Sequence, residues 1–87
     1  MILARELAYA WVRALFRQRP RRAMTWLQAR RYAAQAGIAI SREANPERHA
    51  EFMAWNVIDR LPNGWSQQTM TEAILASARH HAALLAD

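Results

Sequence analysis

Apolar residues recur at three- and four-residue intervals along almost the whole chain. That spacing puts them on one side of an α-helix and is incompatible with the strict alternation of a half-buried strand. Few points interrupt it: Pro20, the stretch from Gly37 to Pro46, and Pro62-Asn63-Gly64. With so little punctuation, the 87 residues predict one all-α domain, residues 1–87. It is a compact bundle of about four helices over residues 2–19, 21–36, 46–61 and 66–85. Short connections favour antiparallel neighbours. A chain of this length buries somewhat more than about 60% of its unfolded surface, enough to fold alone with little to spare.

The breaks have physical causes. Pro20 lacks an N–H and clashes with the turn before it. Gly37 is a natural left-handed cap for the second helix. Asn45-Pro46 pairs an N-cap with a proline at the first helical position, and Glu47 then suits the positive helix end. Ser66 caps the fourth helix, and Trp65 is spaced to staple against Met70.

The faces follow from the same periodicity. In the first helix Leu3, Leu7, Trp11, Ala14 and Leu15 share a side, widened by Ile2, Tyr9, Val12 and Phe16. An arc this broad is central to a bundle or meets a second chain. In the second, Ala23, Trp26, Leu27, Ala33 and Ala34 are expected inside, with Gln28, Arg31 and Gln35 outside. In the third, Ala50, Met53, Ala54, Val57, Ile58 and Leu61 form the core stripe. Met70, Ile74, Ala78, Leu84 and Leu85 do so in the fourth.

Charge is distributed unevenly. Residues 1–42 carry nine Arg against the single Glu6, whereas residues 43–87 carry three Arg against six acids. A one-sided field of this kind attracts and orients an anionic partner. All twelve basic residues are Arg. GC-rich coding accounts for that choice, since it also favours the nineteen Ala; the clustering is the informative part. Arg13, Arg17, Arg19, Arg21 and Arg22 straddle the corner at Pro20, with Arg30 and Arg31 beyond it. Arg17 and Arg19 also complement the negative end of the first helix. The corner suits three uses: phosphates of a nucleic acid or other polyanion, an acidic surface on a protein partner or second copy, or solvent.

Residues 29–40, ARRYAAQAGIAI, place Ala33 and Gly37 four apart with Ile38 following. This resembles the first helix and turn of the helix-turn-helix DNA-binding motif, where a small residue and a turn glycine permit close packing. The resemblance implies a recognition helix next, and there it stops. Glu43 stands where an apolar residue should pack, and Pro46 would lie inside that helix at a cost of about 3 kcal/mol.

Phe52 and Trp55 fall off the core stripe of the third helix, beside Arg48, Asn56 and Asp59. Exposed Trp with Arg is the composition of an interface hot spot. The competing expectation is burial of this helix on two sides. The candidate partner-binding set is therefore Arg13, Arg17, Arg21, Arg22, Arg31, Arg48, Phe52, Trp55 and Asp59.

Nothing in the sequence points to chemistry. His80 and His81 are adjacent and project about 100° apart on a helix, and His49 stands alone, so no metal ligand set is expected. Ser66, Thr69 and Thr71 sit where hydroxyls cap a helix. No cofactor, catalytic residue or enzyme activity is expected. No apolar run approaches the ~20 residues that span a bilayer. Residues 1–16 are amphipathic and Arg-bearing, as a targeting helix can be, but Glu6 and the small domain size favour counting them in the bundle. The absence of cysteine suits a reducing compartment and a cytoplasmic location. The function expected is binding without chemistry: an adaptor or inhibitor that docks a larger protein, with a small nucleic-acid-associated regulator as the alternative and a homodimer as one possible assembly.

Overall fold

The computed structural model describes residues 6, 7, 10–14 and 23–86. The chain is an all-α bundle, with no strand among the described residues. Its helices are α1 (helical at residues 6, 7 and 10–14), α2 (Trp26–Ile40), α3 (Pro46–Trp55) and α4 (Gln67–Ala86), with a 3-10 turn at Ile58–Arg60.

α2 starts later than its apolar pattern suggests, at Trp26 instead of residue 21. The reason is a capping box: Thr25 Oγ1 accepts from the Gln28 N–H at 3.2 Å, and Gln28 Oε1 accepts from the Thr25 N–H at 3.0 Å. Two otherwise orphaned donors are satisfied there. α2 also continues through Gly37 to Ile40, so Gly37 is not its left-handed cap. α3 is shorter than 46–61. The Asn56 side-chain amide donates to the Phe52 carbonyl at 2.8 Å, and Val57, at φ −121° and ψ 8°, leaves the helical ladder. The Asn45 side chain caps the α3 start as expected, accepting from the Arg48 N–H at 3.3 Å. Ser66 Oγ does the same for the Thr69 N–H at 3.1 Å.

Helix directions follow from four contacts. Trp26 at the start of α2 meets Trp65, just before α4, edge-to-face with ring centres 5.4 Å apart. Further along, Ser77 Oγ donates to the Ala34 carbonyl at 3.1 Å, and Gly37 abuts Ile74 and Ser77. Later still, Ser41 shares a notch with Ala78 and Ala82. α2 and α4 therefore run parallel, and theirs is the most extensive helix pairing in the bundle. α3 returns between them. Its first residues, Pro46 and Glu47, lie in that same notch, and the Arg60 carbonyl at its far end accepts from the Met24 N–H at 2.6 Å. α3 is therefore antiparallel to both α2 and α4, as the short connections between them predict.

The core consists of Tyr32, Ala33, Ala36 and Ile40 from α2, Ala50, Met53 and Ala54 from α3, Val57, and Met70 and Ile74 from α4, with Val12 and Met24 joining it. Ile40, Met53, Val57, Met70 and Ile74 are fully buried, each contributing about 1.5–3 kcal/mol. Three expected faces need correction. On α2, Ala23, Trp26, Leu27 and Ala34 are exposed, and Ala29, Tyr32, Ala36, Ala39 and Ile40 face inward beside Ala33. The Thr25 start and the close approach at Gly37 set this rotation. On α1, Val12 is buried, Trp11 half-buried, and Leu7 and Ala14 exposed; Ile2, Leu3, Tyr9, Leu15 and Phe16 lie outside the described residues. On α4, Leu84 and Leu85 are exposed, because α2 and α3 have nothing left to pack there.

Candidate interaction face

Small residues dictate how α3 presents its outer side. Ala50 and Ala54 are fully buried with Met53 between them, so α3 sits close against its neighbours and leaves no room for a second bulky inward row. Phe52 and Trp55 must then point away from the core. They are 45% and 56% exposed, so α3 is not buried on this second side. Arg48 is one helical turn before Phe52, and Trp55 follows it by three residues, so the three share a side. Exposed Glu47, Glu51 and Asp59 flank them.

Beside Phe52 a groove of about 250 Å³ separates α3 from α1, lined among the described residues by Val12, Arg13, Phe52 and Asn56. Asn56 is held in place by its bond to the Phe52 carbonyl, and Val12 is anchored in the core. The groove is therefore built from positioned side chains, with the exposed Arg13 at its edge. Its volume lies below the ~300–1,000 Å³ typical of small-molecule sites.

Of the candidate residues, then, Arg13, Arg48, Phe52 and Trp55 come together around α3, with Asp59 at its end. Arg31 is exposed on the outer side of α2 with Arg30, and no described contact joins it to the groove. Arg17, Arg21 and Arg22, the centre of the basic corner, lie outside the described residues, as does Arg19.

The helix-turn-helix likeness does not survive the geometry. Gly37 is helical and one turn short of the end of α2. Its service is to α4: a Cβ there would overlap the Ser77 side chain and stand 2.8 Å from the Ile74 carbonyl oxygen. Glu43, out of place for a packed apolar position, brings its carboxylate Oε2 within 3.3 Å of His49 Nε2 across the α2–α3 connection. His49 is thus not alone, and the pairing has a sequence signal in the six-residue spacing across the Asn45-Pro46 helix start. Also missed was Tyr32, whose hydroxyl donates to the Met53 carbonyl at 3.3 Å. Burial pushes its phenol well above the usual tyrosine range.

Among the described residues no three His, Asp or Glu gather as a metal site, and no helix is long and apolar enough to cross a membrane. His80 and His81 stand edge-to-face with ring centres 6.3 Å apart. Comparison with protein-family models, with curated proteins and with solved structures found no match.

Proposed function

We propose that this chain is a small helical binding protein without catalytic chemistry, acting as an adaptor or inhibitor that docks a larger protein through the α1–α3 face. The observation that carries this reading is the exposed pair Phe52 and Trp55 beside a groove lined by Val12, Arg13 and Asn56. Aromatic anchors next to a fitted cleft, ringed by Arg13, Arg48, Glu47, Glu51 and Asp59, match the anatomy of a protein interface: an apolar centre with a charged rim. The mixed signs of that rim favour a protein over a nucleic acid, because Glu47, Glu51 and Asp59 would repel phosphates. A cytoplasmic setting suits a chain without cysteine.

A second reading draws on the other side of the molecule. α2 carries no acid, and Arg30, Arg31 and Arg42 are all exposed. These residues could meet a polyanion together with the basic corner. Binding to mixed-sequence DNA and RNA at increasing salt separates the two readings. The protein-docking reading expects weak binding even at low salt. A steep salt dependence that Arg30→Glu/Arg31→Glu abolishes and Trp55→Ala leaves intact would replace it with the nucleic-acid reading.

A further inference from the structure

α2 turns one side away from the bundle. Its buried residues run from Ala29 to Ile40 along the inner side. On the opposite side Leu27, Ala34 and Ile38 fall within about 40° of one another, and all three are exposed. Leu27 and Ile38 are 57% and 46% exposed and stand about 16 Å apart along the axis. Arg30 and Arg31, also exposed, project roughly 50° to either side of this apolar line. Arg42 is exposed just past the end of the helix. None of the three arginines is ion-paired among the described residues.

The acids of the chain lie elsewhere. α2 holds none. Glu43, its side chain 12% exposed, is turned to His49 in the α2–α3 connection. Glu47 and Glu51 belong to α3 and Asp59 to the 3-10 turn after it, and Glu47 shares a notch with Arg79. Glu72 accepts from the Gln68 side-chain amide at 3.3 Å. It projects about 140° or more from Ile74 and Ser77, the residues through which α4 meets α2. Glu6 is on α1, which borders α3 at the groove. Asp87 lies outside the described residues.

We propose that the outer side of α2 is a membrane-surface site that lies flat on an anionic lipid bilayer. Leu27, Ala34 and Ile38 enter the boundary between headgroups and acyl chains, and Arg30, Arg31 and Arg42 reach the lipid phosphates, as in interfacial helices that combine an apolar line with arginine. The arginine stems cover the apolar line while their heads stay in the polar layer. A nucleic acid would use the arginines alone and leave Leu27 and Ile38 in water. A protein partner draws most of its affinity from anchors seated in pockets, and neither Leu27, Ala34 nor Ile38 lines the α1–α3 groove or the Pro46–Arg79 notch. A bilayer needs no pocket, only a continuous ridge of this kind. No helix among the described residues is long and apolar enough to cross the membrane, so the contact is peripheral and reversible.

Flotation with lipid vesicles tests this, comparing phosphatidylcholine alone with an equal mixture of phosphatidylcholine and phosphatidylglycerol. The wild type should bind the mixed vesicles and not the neutral ones. Each Arg near an anionic surface is worth about a fivefold change in affinity, so Arg30→Glu/Arg31→Glu should weaken binding by about 25-fold or more. Leu27→Ser/Ile38→Ser should weaken it by at least about tenfold. Both variants change exposed side chains only, so their helical circular dichroism should match the wild type. A wild type that ignores the mixed vesicles at low salt overturns the proposal. Binding that Leu27→Ser/Ile38→Ser leaves at full strength overturns it too, since charge alone then suffices and the face returns to the polyanion reading. Binding that survives Arg30→Glu/Arg31→Glu places the lipid contact away from α2 and has the same result. Trp55→Ala should leave vesicle binding unchanged, so the outcome is independent of the α1–α3 docking face.

Discussion

Gly37 and Ser77 bring α2 and α4 to a separation that leaves no room for a side chain at position 37. Ser77 reinforces the approach by donating to the Ala34 carbonyl. Gly37→Ala gains about 1 kcal/mol of helix propensity but forces Ser77 and the Ile74 carbonyl aside. The net expectation is a loss of about 1–3 kcal/mol, read as a lower urea midpoint with an unchanged slope. Ser77→Gly in the same chain should recover part of that loss. An additive double mutant would mean the two sites do not meet.

Tyr32 makes stability fall in alkali. Its phenol is buried and pushed upward, so the folded state holds a proton that the unfolded state releases near pH 10. The unfolded chain then binds fewer protons than the folded one. Stability is intact below pH 10 and drops by about 1.4 kcal/mol per pH unit above it. The chain has no lysine to blur that window. Denaturant titrations between pH 8 and 11 should show the decline in the wild type and a shallower one in Tyr32→Phe. The variant also loses a hydrogen bond worth about 1 kcal/mol at neutral pH. Equal slopes in the two proteins would assign the alkaline loss elsewhere.

Neighbouring positions on α3 should behave oppositely. Met53 is fully buried, and Met53→Ala should cost about 2–5 kcal/mol. Trp55→Ala removes mostly exposed surface and should change stability by under about 1 kcal/mol, while weakening partner binding at least tenfold if Trp55 is an anchor. Thermal melts give the first comparison directly. A collapse of Trp55→Ala stability to the Met53→Ala level would place Trp55 in the core and remove the basis for the docking face.

Thr25 should matter although it is exposed. Thr25→Ala breaks the capping box with Gln28 and should cost about 1 kcal/mol, lowering the melting temperature by about 4–8 °C in a domain of this size. Thr25→Ser, which keeps the oxygen, should stay close to wild type.

The all-helical class and the starts of α3 and α4 were legible because capping residues act locally: Asn45-Pro46 and Ser66 cap as their chemistry demands. The α3 core stripe was legible for a related reason, since a helix with a single clean core face (Pro46–Trp55) permits one rotation only; whether Phe52 and Trp55 on its other side were buried or exposed was not, because that depends on which helices pack there. The α2 rotation was not. Its alanines are apolar without being bulky, so periodicity alone could not choose between Leu27/Ala34 and Tyr32/Ala36 as the inner row. The Thr25…Gln28 capping signature was in the sequence and would have corrected the start. Gly37 was misread because a glycine near a helix end stops a helix far more often than it seats another helix against it. That distinction depends on Ser77, forty residues away, and no local pattern carries it. The Arg13–Phe52 groove needed the α1–α3 packing for the same reason.

The parallel pairing of α2 and α4 has a consequence for how the chain is made. The inner side of α2, from Ala33 to Ile40, is covered by Ile74 and its neighbours, which are synthesised only after α3 and the Pro62–Gly64 turn. α3 does not supply that cover. During translation the side of α2 that seats α4 therefore stays uncovered by its native partner until α4 emerges.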